Sequence, residues 1–357
     1  MTKSSTKSTP LFSVDNVCIA YDAKKIIKHV SFDLFNGQIS SLVGPSGCGK
    51  STLLRAIAGF EPLIDGEISM LGQTLSTKHK IIAPEKREIG LVFQDLALFP
   101  HLSIAENIRF GLKKWPYKDQ QQRILQLLKL VDMSGTENRF PHSLSGGQQQ
   151  RIALARAIAP KPKLLLMDEP FSGLDAAMRE DLVPEVRDIL KQEKISSILV
   201  THDQLEAFAI ADRVAVMQEG KIMQYDKPFN IYHKPANRFT ADFIGKGEFI
   251  PATIIDENTV DSVLGKLSST QAHGFKIGQT VEALIRPDDV LHDDDSTTVA
   301  EIISKQFRGS HFLYEVKITD ECSLHCFASS HHNHAIGEKI GIELDLDHLV
   351  LFETKTN

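Results

Sequence analysis

The sequence predicts a parallel α/β domain followed by a smaller all-β domain. Apolar runs of strand length alternate with helix-period segments up to about residue 240, and one junction between them is a glycine-rich loop. Beyond residue 240 the pattern changes to short strands separated by glycine or acidic turns. A chain of 357 residues is long enough for two domains with a sizeable core.

Residues 1–10 are polar, lack the apolar stretch of a signal peptide and read as a disordered tail. Residues 11–20 and 29–35 read as antiparallel strands. Residues 39–43, 89–93, 164–168, 197–200 and 213–217 read as parallel-type strands. The first of these leads into Gly44-Pro45-Ser46-Gly47-Cys48-Gly49-Lys50-Ser51, which fits G-x-x-x-x-G-K-[ST] and opens a helix-like run to residue 58. Glycines let backbone N–H groups turn inward on a phosphate chain, and the helix N-terminus adds partial positive charge where the anion sits. Lys50 is placed to reach β- and γ-phosphates, and the Ser51 hydroxyl to hold Mg²⁺. The same pattern alone also occurs in GTPases and by chance.

The run at 164–168 ends in Asp168-Glu169, as a buried parallel strand does when it delivers carboxylates at its C-terminal end. Asp168 would support the Mg²⁺ shell, and Glu169 would orient or deprotonate the attacking water. The bland alternative is that these acids cap the next helix. His202 follows the strand at 197–200, where it would share a sheet edge with Glu169, unless it is a structural core histidine. Gln94 stands at the end of the strand at 89–93, within reach of Mg²⁺ and water. Between Gln94 and Leu144 the period is helical, with Ile124, Leu127, Leu128 and Val131 at i, i+3, i+4 and i+7. Within it, Leu98-Phe99-Pro100-His101-Leu102 brings apolar side chains expected to be exposed. Ser145-Gly146-Gly147 precede a second helix starting at Gln148, and this N-terminus is a further candidate for phosphate.

Taken in order, Gly44 to Thr52, Gln94, Leu144 to Gln148, Asp168-Glu169, Ser172-Gly173-Leu174-Asp175 and His202 resemble the ATP-binding subunits of ABC transporters over essentially the whole chain. The resemblance implies a P-loop NTPase domain at residues 11–240, with a RecA-like core, an antiparallel β subdomain and a helical subdomain at about 95–160. An OB-like regulatory domain would follow at 241–357. It implies ATP with Mg²⁺, bound by Gly44, Pro45, Ser46, Gly47, Cys48, Gly49, Lys50, Ser51 and Thr52, with Tyr21 stacking on adenine. Ser51, Gln94 and Asp168 would hold the metal, and Glu169, His202 and Gln94 would serve catalysis. Ser145, Gly146, Gly147 and Gln148 would close on the nucleotide of a second copy, with Asp175 communicating across the homodimer. Gly173 stands where the family more often has Ala or Asn. The implied partners are an integral membrane permease, docking near Phe99, and indirectly an extracytoplasmic solute-binding protein. The implied location is the cytoplasmic face of the inner (plasma) membrane, peripherally bound.

Segments 58–61, 243–248, 284–289 and 337–342 look most like ferric-iron import ATPases, with polyamine, sulfate or sugar import as alternatives. A non-transport ABC ATPase of repair or translation is the rival class. Repair members insert a long coiled coil, whereas only about fifty residues separate Gln94 from Leu144 here, and translation factors usually carry two cassettes. A regulatory dimer with residual nucleotide binding is a further rival, although every catalytic position is intact.

Composition agrees with a soluble cytoplasmic protein. No eighteen-residue apolar run is present. Cys18, Cys48, Cys322 and Cys326 form no disulfide framework for this length and are expected to be reduced. Residues 1–240 carry roughly five more bases than acids and residues 241–357 roughly eleven more acids than bases, giving the net −6. No nucleic-acid partner is expected of so acidic a C-terminal half. Residues 277–281 and 336–340 echo each other and suggest paired β units. His331, His332 and His334, with Cys322, His325 and Cys326 upstream, offer transition-metal ligands. Their spacing matches no standard zinc site, and a polar turn between strands is the favoured reading of them.

Overall fold

A computed structural model describes residues 9–22, 24–346 and 348–354. The expectation for residues 1–8 therefore lies outside the described residues. The chain divides into two units, one ending at Pro228 and the other starting at Phe229.

The first unit comprises, in order, β1 (Phe12–Tyr21), β2 (Lys24–Leu34), β3 (Ile39–Val43), α1 (Lys50–Ala58), β4 (Asp65–Met70), β5 (Gln73–Thr77), β6 (Lys80–Ile81) and β7 (Ile89–Val92). There follow α2 (Ile104–Arg109), α3 (Tyr117–Leu130), α4 (Gly146–Ile158), β8 (Leu164–Asp168), α5 (Ala176–Gln192), β9 (Ser196–Val200), α6 (Gln204–Ile210), β10 (Arg213–Gln218) and β11 (Lys221–Asp226). One sheet, β2-β1-β4-β5-β6, is antiparallel. The other, β11-β10-β3-β9-β8-β7, is parallel except for the β11 edge. Strands β3 and β9 are buried at every position, which is why they read as continuous apolar or small-residue runs rather than alternating ones. The expected helical face at Ile124, Leu127, Leu128 and Val131 is buried. Strands β4, β5 and β6 were not anticipated: β4 and β5 bury two residues each and β6 buries none, so their short, mixed sequences carry no clear alternation.

Two buried arginines join elements distant in sequence. Arg87, 1% exposed, donates to the Ala56 and Ile57 carbonyls that end α1, to the Ile82 carbonyl and to Ser76 Oγ. It thereby ties the antiparallel sheet to the helix that follows the phosphate-loop motif, with a cation at that helix's negative end. Burial lowers its pKa to about 10. Arg123 on α3 similarly donates to the carbonyls of Ile158 and Ala159 at the end of α4, and pairs with Glu193 at 2.7 Å.

The second unit comprises α7 (Pro228–His233), α8 (Arg238–Ile244), β12 (Glu248–Ile254), β13 (Thr259–Ser262), β14 (Gly265–Ser268), β15 (Thr280–Ile285), β16 (Val290–His292), β17 (Val299–Phe307), β18 (His311–Thr319), β19 (Cys322–Ser329), β20 (Lys339–Leu344) and β21 (Val350–Glu353). A sheet β14-β13-β12-β15-β21 accompanies a closed barrel β16-β19-β18-β17-β20, the all-β arrangement expected of an OB-like domain. The echoing segments each put glycine in a left-handed turn, Gly278 at φ 82 and Gly337 at φ 87, just before β15 and β20. These two strands lie in different sheets and do not pair with each other. The echo therefore marks a repeated turn-to-strand entry rather than a paired unit.

Replacing Arg87 with Met should lower unfolding stability by about 3 kcal/mol, because it leaves several buried carbonyls without donors. Urea denaturation checks this; a loss under about 1 kcal/mol would mean water takes over those carbonyls.

Candidate active site

The register of the parallel sheet determines what meets at its C-terminal edge. Leu42 pairs with Val200, Asp168 with Val200, and Val92 with Met167. The residues that follow each strand therefore emerge along one edge: Gly44, Gln94, Glu169, and Thr201 with His202. This is where an open parallel sheet places its ligand.

Gly49 caps α1 at φ 106, and a Cβ there would lie 2.6 Å from Ile27 Cδ1. Both the turn and the packing therefore require glycine. Pro45, Ser46 and Gly47 are exposed at the tip of the loop, whereas Cys48 is buried and its thiol pKa is raised by burial. Lys50 is 6% exposed, and its Nζ donates to the carbonyls of Gly44 (2.8 Å) and Pro45 (3.1 Å). It also donates to Cys48 Sγ at 3.9 Å, and among the described residues no carboxylate forms an ion pair with it, so a buried ammonium stands at the loop held by backbone carbonyls and a thiol. Such a group favours an anion beside it.

Ser51 Oγ donates to Asp168 Oδ1 at 3.1 Å. Burial raises the Asp168 pKa, and the Ser51 hydrogen bond opposes that rise. Glu169 adopts φ 44, a left-handed conformation that a non-glycine residue holds only under constraint. The constraint is visible: its N–H donates to Val200 (2.9 Å), and its carbonyl accepts from Ser172 Oγ (3.0 Å). Its carboxylate lies 3.2 Å from His202 Nδ1, with the imidazole more than half exposed. His202 is thus not a core histidine. Thr52 borders Tyr21, which is 43% exposed at the end of β1. Burial and then the nearby Glu61 raise the Tyr21 phenol pKa.

Gln94 is exposed at this edge, and the loop after it places Leu96 at φ 58 and Ala97 at φ 45. Arg156, on α4, donates to both of their carbonyls, at 2.8 and 2.6 Å. Phe99 is half-buried, packed on Phe110 with ring centroids 4.6 Å apart. The exposed aromatics near the edge are instead Phe60 and Phe93, which with Arg55, Glu61, Leu91 and Asp168 line a cleft of about 380 Å³.

Ser145 caps α4, accepting from the Gln148 N–H, while the Gln148 side chain accepts from the Ser145 N–H. Gly146 and Gly147 begin that helix with no positive φ, and a Cβ on them would meet only Leu174 at 3.6 Å and Met178 at 3.4 Å. Asp175 caps α5 by accepting from the Met178 N–H at 2.9 Å. These residues therefore cluster with one another. Among the described residues no hydrogen bond or ion pair joins Ser145–Gln148 to residues 44–52.

Sequence reasoning missed a network that shapes the site. Arg179 on α5 pairs with Asp203 at 2.9 Å and Glu206 at 3.2 Å, and Thr201 donates to Glu206 at 2.5 Å. Asp203 in turn caps α6. This network fixes the turn bearing His202.

The donors fit a magnesium nucleotide. Ser51 Oγ and Asp168 Oδ1, 3.1 Å apart, match about the 3 Å separating neighbouring oxygens around Mg²⁺ at 2.0–2.1 Å. The glycine loop, a helix N-terminus and a buried ammonium supply the anion cradle.

Fold and site together define a P-loop ATPase. The ABC transporter family matches residues 27–172, and the TOBE domain family matches residues 283–352. The chain is 39% identical over 312 residues to the spermidine/putrescine import ATP-binding protein PotA of Marinobacter nauticus, covering 84% of this chain and 82% of that one. It is 40% identical over 314 residues to the protein of the same name from Clostridium novyi, covering 87% and 89%. Among solved structures it resembles cbiO1 of Clostridium perfringens, part of the ABC transporter complex cbiONQ, with TM-score 0.58 and 27% identity, covering 63% of this chain and 91% of that one. The chain belongs to the ATP-binding subunits of ABC transporters. No helix among the described residues is long and apolar enough to cross a membrane.

These relatives do not support the ferric-iron expectation. The C-terminal segments behind it build the fold. Arg286, 4% exposed, donates to the carbonyls of Lys246 (3.3 Å) and Ala241 (3.5 Å), and its N–H donates to Asp289 at 2.7 Å. Residues 337–342 form the Gly337 turn and enter β20. Such segments report how the second unit is assembled, not which solute is carried.

The raised Asp168 pKa means that the folded chain keeps this proton to higher pH than the unfolded chain does. The contribution to stability is therefore full at low pH and lost as pH rises through the folded pKa. Asp168→Asn should raise the melting temperature at pH 7 in Mg²⁺-free buffer and flatten the profile above pH 4. A variant less stable than wild type at pH 7 would show that the carboxylate is not held at a cost.

Proposed function

We propose that this chain is the ATP-hydrolysing subunit of a polyamine importer, acting as a homodimer beneath a membrane permease that is supplied by an extracytoplasmic binding protein. The solute reading rests on the two relatives named for spermidine/putrescine import, whose likeness covers more than four-fifths of the chain. It replaces iron, for which only fold-building segments spoke. A peripheral position on the cytoplasmic face of the membrane follows from the same reading.

One observation carries the mechanism: Lys50, Ser51, Asp168, Glu169 and His202 converge at one sheet edge, while Gly146 and Gly147 lie apart from it. Lys50 and the N–H groups of residues 46–52 bind the β- and γ-phosphates of ATP, and Ser51, Asp168 and Gln94 hold Mg²⁺. When bound, Mg²⁺ neutralises charge on the phosphate oxygens. Glu169 positions and deprotonates the attacking water, and His202 orients Glu169 and donates to the γ-phosphate. Tyr21 stacks on adenine.

The homodimer is argued from the glycines. Opening α4 with two of them costs about 1 kcal/mol each relative to alanine. Neither backbone conformation nor packing in this chain demands it. Close approach of an outside group accounts for the choice, and a nucleotide on a second copy is such a group, met by the N-terminus of α4. Asp175, beside them, would face the same partner. The cleft at Phe60 and Phe93 is the permease-docking surface in this reading.

Glu169→Gln should reduce ATP turnover by roughly 10²- to 10⁴-fold with nucleotide affinity kept, while Lys50→Ala should lose the affinity itself. Wild-type specific activity should rise with protein concentration. Unchanged turnover in the glutamine variant removes Glu169 from the role, and activity independent of dilution removes the dimer.

Uptake of labelled spermidine, putrescine or Fe³⁺ into vesicles holding the chain with its permease and binding protein tests the solute. ATP-dependent polyamine uptake, lost in Glu169→Gln, is expected. Iron uptake without polyamine uptake would reverse the assignment.

A further inference from the structure

The second unit holds a constellation that nucleotide chemistry does not use. His292 ends β16, while His332 and His334 lie forty residues further along, in the turn between β19 and β20. Strand β16 pairs with both of those strands, His292 standing opposite Ile342 and Leu291 opposite Phe327, so barrel closure brings the three imidazoles together. One ligand nitrogen from each lies within 4.8 Å of the others. The rings of His292 and His332 are 4.7 Å apart, and those of His292 and His334 are 4.9 Å apart.

The cluster is held in place from behind. Tyr314, fully buried, donates its hydroxyl to the His332 carbonyl at 2.6 Å and accepts the His334 N–H at 3.1 Å. Lys305 Nζ donates to the His334 carbonyl at 2.7 Å. The backbone carrying two of the three imidazoles is thus fixed by two side chains from the barrel strands β17 and β18. His334 Nδ1 is 2.8 Å from Glu338 Oε1, the carboxylate partner that sets the tautomer of a metal-ligating histidine and frees its Nε2.

Two nitrogens are left over. Nε2 of His334 and Nε2 of His292 are both buried and without a hydrogen bond. The His292 side chain is only 6% exposed, and Asp294 Oδ1 lies 3.1 Å from its Nε2, out of line for a hydrogen bond. Unsatisfied buried nitrogens are uncommon, and they are explained here if a cation occupies the space between them.

We propose that His292, His332 and His334 form a binding site for a divalent transition-metal ion, with Zn²⁺ the fitting ion and water as the fourth ligand. Three neutral imidazoles suit zinc and its neighbours and not Mg²⁺ or Ca²⁺, which take oxygen ligands. The ion would fasten β16 to the turn preceding β20. His331 is exposed and stands outside the group, as do His325, which contacts Glu248 at 3.0 Å, and Cys326, whose buried thiol has its pKa raised to about 12.

The test is equilibrium dialysis of the full chain against Zn²⁺ in excess Mg²⁺, with Co²⁺ absorption as a reporter of tetrahedral imidazole ligation. One ion per chain, bound at micromolar affinity or tighter, is expected. His334→Ala and His332→Ala should each weaken it by about 100-fold or more, and Glu338→Gln by about 10-fold, the lower end for an outer-shell partner. His332→Ala guards against misfolding, since that ring makes no hydrogen bond. Asp168→Asn should bind normally, which separates this site from the nucleotide edge. Binding weaker than about 100 µM, or binding indifferent to the histidine substitutions, would overturn the proposal.

Discussion

The register of the parallel sheet is the constraint on which the site depends. Because β3, β9, β8 and β7 end nearly level, a loop, two acids, a histidine and a glutamine from widely separated positions emerge at one edge. A shift of one residue in β8 would exchange the faces of Asp168 and Glu169, and with them the Ser51 and His202 contacts. The left-handed backbone of Glu169 shows how tightly that edge is held. Strain of order 1–3 kcal/mol persists only where neighbours overdetermine the conformation, and here a β9 carbonyl and Ser172 do so.

Where the physics is local, the sequence was legible. Strands β3 and β8 match their expected limits, since each is a short apolar or small-residue run bounded by glycine or charge. The helical period from Ile124 to Val131 also became a buried face. Strands β4 to β6 and helices α7 and α8 escaped notice because they are short and only partly buried, so no period of 2 or 3.6 has room to develop. At the candidate site the glycine loop and the paired acids could be read directly, each carrying its own spacing. The Arg179–Asp203–Glu206 network could not, because an arginine's partner is chosen by the fold and leaves no trace at fixed offset.

The same distinction explains four buried or half-buried arginines. Arg87, Arg123, Arg156 and Arg286 all spend their donors largely on backbone carbonyls rather than on carboxylates alone. Carbonyls at a helix end or in a left-handed turn have lost their usual partners, and a planar five-donor group can serve several at once. Such contacts cement helices to loops and to one another across large sequence gaps. Arg156 is the most consequential, since it links α4, the helix capped by Ser145, to the turn just after Gln94.

That link bears on how a nucleotide-driven change could travel. Ser145 and Arg156 lie on one rigid helix, so any displacement of the α4 N-terminus carries the Arg156 guanidinium with it. Leu96 and Ala97, both left-handed, are held in that conformation by the two hydrogen bonds Arg156 donates, and without them each would relax toward the ordinary right-handed or extended basins. The Leu96 N–H also donates to the Phe93 carbonyl at 3.0 Å, so the strained turn is held from within and by Arg156.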